Sequence, residues 1–305
     1  MGGKVMQQSR RDFVLGIGSL AAASVLPAIA GPKESDIKFG YAAITWDGND
    51  TQAIKDVSEV GFRGIQLRAN ILKEFSDDPK KVADLLQQYK LQFVALSGGG
   101  PRGGADFNEA EVIDTQVKQT KFLKAAGGLY LQMTDSARPK GKNPSAEDFK
   151  KLGHVLTEVG KRTMDLGVPL AYHNHMGSLS QGPDEMDAVM DAADPRYVKL
   201  LLDVAHCAQG GGDPAKAIRK YRDRIQFLHL KDVENTSGTD STAYRFVELG
   251  RGRVDLPAVF AALKEIKFHG WAVVELDRVP DSSRTPKESA IISKKYLEEK
   301  LGMKV

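Results

Sequence analysis

The stretch VPLAYHNH (168–175) opens a series of four that share one pattern; the others are VKLLLDVAH (198–206), IQFLHLKD (225–232) and WAVVELD (271–277). Each stretch begins with a short apolar run and ends on imidazole or carboxylate side chains. Burying such groups costs several kcal/mol unless they are paired or bind a metal ion. Their recurrence at the same end of successive apolar runs predicts one shared site, which we interpret as a metal centre.

Short apolar runs also alternate with longer amphipathic segments in the first half of the chain. Four further runs are IKFGYAAI (37–44), GIQLR (64–68), LQFVALS (91–97) and LYLQM (129–133). Helix-like segments lie between the runs and include 79–89, 109–126, 146–166, 214–221 and 256–266. Strands of about five residues that alternate with helices of about 10–20 residues predict βα units and a parallel sheet. Eight such units in about 270 residues predict an α/β fold of the (β/α)8 TIM barrel type.

A doubly wound open sheet is the alternative fold. It requires a glycine-rich phosphate-binding turn after the first strand, and the chain has Thr45-Trp46-Asp47-Gly48 there instead. No linker or low-complexity stretch divides residues 31–305, so we predict a single barrel domain over that range.

The first 30 residues are predicted to be a twin-arginine (Tat) signal peptide. The segment SRRDFVL (9–15) places two arginines before a mildly apolar stretch, and Ala28-Ile29-Ala30 resembles a cleavage site. The apolar stretch is too short and too rich in glycine and alanine to span a bilayer stably. We therefore expect the Tat export machinery as a partner and a periplasmic or extracellular location. The alternative is a disordered tail with a chance arginine pair.

Charge and cysteine content exclude several classes of function. The 305 residues carry a formal net charge of +3, and removal of residues 1–30 would leave about +1, which is no basic footprint for nucleic acid. The single cysteine, Cys207, excludes an internal disulfide and a cysteine-based zinc cluster. The sequence leaves a homo-oligomer open.

Strand parity selects one side chain from each of the four stretches. Side chains on one strand face the barrel lumen at alternate positions, and one consistent lumen set is His173, Asp203, His229 and Glu275. Two imidazoles and two carboxylates suit one divalent ion, with Mn²⁺ the first expectation and Co²⁺, Fe²⁺ or Zn²⁺ the alternatives. Taken singly, a histidine at a strand end is usually a hydrogen-bonded structural residue, and an aspartate there is often a helix N-cap.

Five motifs resemble the sugar phosphate isomerase/epimerase superfamily, the xylose isomerase-like TIM barrels: HNHMG, LDVAH, FLHLKD, ELGRGRVD and VVELD. The similarity covers about residues 37–300, and the superfamily includes myo-inosose dehydratases and tagatose 3-epimerase-like enzymes. It implies one catalytic divalent ion at the ends of strands five to eight, and Asp203, His229 and Glu275 match three of its ligand positions.

Two positions depart from the epimerase pattern of that family. His173 stands where many epimerases carry a glutamate, and Gln66 stands where other members carry a glutamate on strand two. Without the first glutamate, the two-glutamate epimerisation of those enzymes is not expected. The YHNH variant is shared with inosose dehydratase-like members and with keto-sugar lyases or isomerases, so we lean towards elimination or isomerisation.

The expected chemistry assigns roles to the other polar residues of the four stretches. A metal ion that binds a sugar carbonyl and its neighbouring hydroxyl would act as a Lewis acid and stabilise an enediolate. Glu275 is then the candidate ligand and base. His206, His175 and Lys231 are candidates for substrate contact, with His206 and Lys231 also for proton transfer or enolate stabilisation. Local hydrogen bonding, or a solvated lysine, is the alternative for these three.

Three residues outside the four stretches are further candidates for substrate contact. In the family, an E-x-G-x-G segment precedes the last helix, which makes Glu248 a candidate, and Arg251 beside it can bind an anionic group. Trp46, after the first strand, can stack on a sugar face or pack at the rim of the barrel. No phosphate-binding loop accompanies these residues, so an unphosphorylated substrate is expected.

The favoured function is an exported, metal-dependent enzyme that isomerises, epimerises or eliminates from a sugar, keto-sugar or cyclitol through an enediolate. The second candidate is a non-catalytic sugar-binding barrel with a decayed metal site. The third is an endonuclease IV-like nuclease, which would need a three-zinc cluster and a basic face. Six histidines in all and the low net charge argue against it.

Overall fold

A computed structural model describes residues 1–2, 37–102, 107–138, 143–237 and 243–305. Apart from its first two residues, the predicted signal peptide lies outside the described residues, so its boundary at Ala30 stays a prediction. None of the helices in the described part of the chain has the length and apolar content that a bilayer span requires.

Eight parallel strands close into a barrel, which confirms the predicted TIM barrel and excludes the open sheet. The strands are β1 Ile37–Ala42, β2 Gly64–Arg68, β3 Gln92–Ser97, β4 Tyr130–Thr134, β5 Leu170–His173, β6 Val198–Asp203, β7 Ile225–Leu230 and β10 Gly270–Val274. Around the barrel their order is β1-β10-β7-β6-β5-β4-β3-β2. A separate antiparallel hairpin follows β7 and consists of β8 Asp232–Asn235 and β9 Tyr244–Val247.

Helices connect the strands, as the alternating pattern predicts. The α-helices are α1 Asp50–Val60, α2 Leu72–Phe75, α3 Pro79–Gln88, α4 Glu109–Ala125, α5 Ala146–Asp165, α6 Pro183–Ala192, α7 Val204–Gln209, α8 Pro214–Lys220, α9 Leu256–Glu265 and α10 Pro286–Lys295. The five segments predicted from the sequence as helices begin at the predicted residue and end one residue earlier.

Local capping chemistry explains where several helices begin and end. Ser145 and Asp148 form a reciprocal capping box at the start of α5. Asp213 and Asp255 cap α8 and α9 by accepting hydrogen bonds from backbone N–H groups three residues on. Gly167 follows α5 with φ +79°, a left-handed conformation that glycine adopts without a steric penalty.

Two buried apolar layers hold the barrel together and set the position of the site. The larger layer lies between the strands and the helices. The smaller layer fills the lower lumen with side chains that include Ala171, Leu201, Phe227 and Val273. Because lumen positions alternate along a strand, His173, Asp203, His229 and Glu275 follow these four residues two positions later, towards the carboxyl ends. The smaller apolar layer therefore lies directly beneath a polar upper lumen.

Candidate metal centre

The structure brings together the four side chains that strand parity selects. His173, Asp203, His229 and Glu275 each offer one ligand atom, and these atoms lie within 4.8 Å of one another. All four residues are at most 7% exposed. They come from the ends of four neighbouring barrel strands, β5, β6, β7 and β10.

Asp203 serves as a helix cap with one oxygen and leaves the other free. Its Oδ1 accepts hydrogen bonds from the backbone N–H groups of Ala205 (2.9 Å) and His206 (2.8 Å), at the start of α7. Its Oδ2 has no hydrogen-bond partner and lies 3.6 Å from His229 Nδ1. The N-cap alternative for this aspartate is therefore correct for one oxygen, and the second oxygen remains available as a ligand.

Gln66 sets the orientation of the His229 ring. His229 Nε2 lies 2.8 Å from Gln66 Oε1, and Gln66 Nε2 in turn lies 3.4 Å from Gln132 Oε1. An amide oxygen can only accept, so His229 carries a proton on Nε2 and presents Nδ1 to the other ligand atoms. The amide at position 66 thus does what a carboxylate often does for a metal-binding histidine.

His173 is a buried imidazole without a hydrogen-bond partner at Nδ1. Burial, reinforced by the neighbouring His229, holds its pKa well below the usual range for histidine. A neutral imidazole is the form that coordinates a metal ion. Its ring meets those of His175, His206 and His229 edge-on, with centroids 5.6, 5.7 and 4.9 Å away.

Opposing charges dominate the pair formed by His229 and Glu275. Burial alone would lower the pKa of His229, but Glu275 and Asp203 outweigh it and raise that pKa to about 9. Burial alone would raise the pKa of Glu275, but His229 and Lys231 hold it well below its usual range. His229 Nδ1 and Glu275 Oε2 touch as an ion pair without the geometry of a hydrogen bond.

The donor set fits a divalent cation. One atom of each candidate ligand is buried and lacks a hydrogen-bond partner: His173 Nδ1, Asp203 Oδ2, His229 Nδ1 and Glu275 Oε2. Buried polar atoms are normally paired. Although His229 Nδ1 and Glu275 Oε2 touch each other as an ion pair, Asp203 Oδ2 and His173 Nδ1 have no hydrogen-bond partner and call for an explanation. With both imidazoles in the neutral form that binds a metal ion, Asp203, Glu275 and Asp277 together with the ammonium of Lys231 give a formal charge of minus two, which a divalent ion would neutralise.

Lys231 lies in the next lumen layer above the ligand set. It is fully buried, with Nζ 2.5 Å from Asp277 Oδ1 and 3.9 Å from both Asp203 Oδ2 and Glu275 Oε1. Burial alone would lower the pKa of Lys231, but Asp277, Glu275 and Asp203 outweigh it and raise that pKa. The ring of Phe246 covers the ammonium at 4.1 Å from its centroid. Lys231 is therefore a fixed positive charge beside the candidate metal site.

His206 and His175 stack on each other at the same level. Their ring centroids are 3.9 Å apart. The backbone N–H of Met176 donates to His206 Nδ1 (3.0 Å), and His206 Nε2 lies 3.2 Å from Lys231 Nζ. His175 Nδ1 lies 2.6 Å from the carbonyl oxygen of Met176. Both predicted substrate-contact histidines thus stand beside the ligand set, and their roles stay predictions.

The remaining sequence candidates lie in packed surroundings. Trp46 is 7% exposed, donates from Nε1 to Asp56 (2.9 Å) and packs edge-on against Tyr41 between barrel and helices. This environment favours the packing alternative over a sugar-stacking role. Glu248 is 1% exposed and binds Ser289 Oγ (2.9 Å) and Arg284 (3.1 Å), which ties the loop before α9 to α10.

Arg251 lies beside Glu248 with a half-exposed side chain, at 3.9 Å from its carboxylate. Its contacts do not reach the candidate metal ligands, so anion binding by Arg251 stays a prediction.

Sequence reasoning assigned no role to three residues that shape the site. Gln132 completes the amide chain behind His229. Asn174 links β5 to β6, because its Oδ1 accepts from the N–H of Asp203 (2.9 Å) and its Nδ2 donates to the carbonyl oxygen of Asp203 (3.3 Å). Asp277 neutralises Lys231. Lumen parity along β4 and after β10 points to Gln132 and Asp277, whereas no sequence signal identifies the role of Asn174.

The closed βα barrel makes this a TIM-barrel protein, and the polar side chains of its upper lumen form the candidate site. The family model of the xylose isomerase-like TIM barrel matches residues 54–299, and the chain belongs to that family.

Named relatives resemble the chain over most of their length. It is 25% identical over 294 residues to an inosose dehydratase of Lacticaseibacillus casei, covering 86% of this chain and 96% of that protein. It is 27% identical over 299 residues to an inosose dehydratase of Clostridium tetani, covering 88% and 98%.

Solved structures share the fold at lower identity. One is the IOLI protein with a bound zinc atom, with a TM-score of 0.72, 22% identity and coverage of 86% of this chain and 97% of that chain. Another is the D-allulose 3-epimerase from Methylomonas sp. in complex with D-allulose, with a TM-score of 0.67, 20% identity and coverage of 88% and 97%. These likenesses show the barrel fold.

Replacing Asp203 by asparagine tests the ligand set without removing the helix cap. The amide oxygen of the introduced side chain can still accept from the first turn of α7, but a neutral amide is a far weaker ligand than a carboxylate. We expect about one divalent ion per chain in the protein purified without chelator, and an affinity at least ~100-fold lower in Asp203→Asn. Metal content by plasma mass spectrometry and a competitive chelator titration measure both.

His154→Gln is the matched control, because His154 is an exposed histidine on α5 away from the lumen. It should leave metal content unchanged. Equal metal content in the Asp203→Asn protein would exclude Asp203 as a ligand.

Replacing Gln66 by leucine tests the orienting role of the amide. The His229 ring would lose its Nε2 partner and hence its fixed tautomer, so we expect metal affinity to fall by roughly 10–100-fold with folding retained. The visible spectrum of the Co²⁺-loaded protein should shift, since ligand geometry changes. Gln52→Leu on α1 is the control. An unchanged affinity and spectrum in Gln66→Leu would contradict the role.

Proposed function

We propose that the protein is a divalent-metal-dependent enzyme that removes a proton next to the carbonyl group of a sugar, keto-sugar or cyclitol. The four buried ligand atoms without hydrogen-bond partners carry this proposal, because they form a donor set for one cation in the lumen. Relatives named inosose dehydratase support a cyclitol or sugar substrate and a dehydratase type of reaction.

His173, Asp203, His229 and Glu275 would hold the ion. When bound, the ion would supply a Lewis acid that polarises the substrate carbonyl, with Mn²⁺, Co²⁺, Fe²⁺ and Zn²⁺ all compatible with these ligands. The rest of the chemistry belongs to the protein side chains.

Lys231 is placed to stabilise negative charge on a substrate oxygen. Its ammonium is held by Asp277 and covered by Phe246, so it needs little reorganisation when charge develops in the reaction. Glu275 faces the same space. Its Oε1 lies 3.9 Å from Lys231 Nζ, the same distance as Asp203 Oδ2. We assign proton removal to Glu275, and hydrogen bonding to a substrate oxygen to His206.

The histidine at position 173 favours elimination or isomerisation over two-base epimerisation. Inverting a carbon centre by two carboxylates requires one on each face of the substrate. Here β5 contributes an imidazole, His173, where such an enzyme would carry its second carboxylate. One carboxylate is sufficient to remove the proton. It can then either give that proton to a neighbouring hydroxyl group, which departs as water, or return it to the neighbouring carbon.

Exchange of substrate hydrogen with solvent tests the function without knowledge of the product. We expect deuterium incorporation next to the carbonyl, or product formation, when the metal-loaded protein meets inososes, 3-keto-glycosides or ketoses in D₂O, followed by NMR. Chelator should abolish the reaction, and Glu275→Gln should slow it by at least ~100-fold.

The same panel separates the alternative function. If no candidate exchanges hydrogen and sugar binding is indifferent to chelator, the protein is a non-catalytic sugar-binding barrel. His154→Gln, with its exposed position, should retain full activity.

We also propose that the protein is exported by the twin-arginine pathway to the periplasm or the extracellular space. The segment 9–15 with Arg10 and Arg11 supports this, as does Ala28-Ile29-Ala30. In a bacterium with this pathway, we expect exported protein whose mass corresponds to a start at residue 31. Lysine at both arginine positions should leave the uncleaved chain in the cytoplasm. Uncleaved wild-type protein in the cytoplasm would contradict export.

A further inference from the structure

A cavity of about 670 Å³ lies beside the candidate metal centre. Its walls come from the loop after β5, the C-terminal end of α7, the strand β9 and the loop after β10, and they include Met176, Tyr244, Phe246, Asp277 and Arg278. None of the four candidate metal ligands lines it. The cavity adjoins the ligand set through Asp277 and Phe246, which both contact Lys231, and its size is in the range of small-molecule sites.

Three residues of the cavity wall touch the polar residues above the ligand set. Met176 donates its backbone N–H to His206, and Asp277 binds Lys231 at 2.5 Å. The ring of Phe246 lies 4.8 Å from the ring of His206 between centroids, and 4.1 Å from Lys231 Nζ. A molecule that extends outwards from the metal centre past Lys231 and His206 would enter this cavity.

An aromatic pair forms one wall of the cavity. Tyr244 and Phe246 lie two residues apart on β9, and their rings meet edge-on with centroids 5.5 Å apart. Both rings are partly exposed, which leaves aromatic surface open to a ligand. The hairpin that carries them is held by Asp232, whose carboxylate accepts from the backbone N–H groups of Gly250 (3.0 Å) and Gly252 (2.9 Å).

Polar side chains surround the aromatic wall. Gln181, Arg245 and Arg278 line the cavity together with the carboxylate of Asp277. The guanidinium of Arg245 is paired with Glu234, which positions it at the rim. A sugar ring has an apolar face of C–H groups and an edge of hydroxyl groups that both donate and accept hydrogen bonds. Aromatic faces combined with amide, guanidinium and carboxylate groups match both parts of such a ring.

We propose that this cavity binds a second sugar ring, linked to the ring that reacts at the metal centre. The substrate class is then a glycoside of at least two rings. This inference rests on the proposed function, because it presumes that the first ring binds at the candidate metal centre. Lys231 and His206 mark the boundary between the two rings, with the first ring on the ligand side and the second against Tyr244.

Calorimetric titration of the Mn²⁺-loaded protein with matched ligands tests the second-ring site. The ligands are methyl glycosides of glucose, galactose, mannose and xylose, each compared with disaccharides that contain the same ring. We expect at least one disaccharide to bind about tenfold more tightly than its methyl glycoside. Tyr244→Ala should remove about that whole advantage. Tyr89→Ala, which removes a half-buried tyrosine at the end of α3, should preserve it.

The outcomes separate the two proposals. Methyl glycosides that bind as tightly as every disaccharide would overturn the second-ring site and leave the proposed function standing. An advantage that survives in Tyr244→Ala would also overturn it. Failure of every ligand of either length to bind the metal-loaded protein would overturn the second-ring site. The proposed function is decided separately, by hydrogen exchange of carbonyl-bearing substrates in D₂O.

Discussion

Two carboxylates and two imidazoles converge in the upper lumen of the barrel. Removing them from water costs free energy, and the contacts made by the surrounding residues must offset that cost. Isolated charges at such depth would cost several kcal/mol each. The protein offsets part of this cost internally, because Glu275 contacts the imidazole of His229 and Asp203 Oδ1 accepts two backbone N–H groups. The second oxygen of Asp203 and the Nδ1 of His173 have no hydrogen-bond partner. A cation is the partner that would compensate both at once.

The surrounding structure orients these groups without using their free atoms. Asp203 is fixed by the helix it caps, and Asn174 holds its backbone from the neighbouring strand. His229 is fixed through the ring nitrogen that faces away from the other ligands, by Gln66. In each case the supporting contact uses one atom and leaves the other pointing into the lumen. Asp203 can therefore cap α7 through Oδ1 and still offer Oδ2 as a ligand atom.

Periodicity, together with the resemblance of the motifs to a known family, predicted the barrel and the lumen set, because strand parity depends on local alternation. Eight apolar runs map onto eight strands with shifts of at most a few residues, and parity alone brings His173 and Glu275 to one lumen. The contacts of Asn174 could not be predicted, since they depend on the pairing of β5 with β6. The contact of Gln66 could not be predicted because it crosses the lumen from β2 to β7, which are not neighbouring strands. The hairpin of β8 and β9 escaped prediction because its strands have only four residues each and its place over the mouth depends on Asp232.

The amide at position 66 and the imidazole at position 173 both leave the site with less negative charge than carboxylates would give it. The motif resemblance implies a carboxylate at each of these positions in two-glutamate epimerases, so we expect less negative charge in the site of this chain. Lys231 lowers it further, and Asp277 restores one charge at the rim. A less anionic ligand set donates less electron density to a bound cation, which leaves that cation a stronger Lewis acid towards a carbonyl oxygen. Stronger polarisation with one carboxylate base suits a reaction that removes a proton once and then expels a neighbouring group.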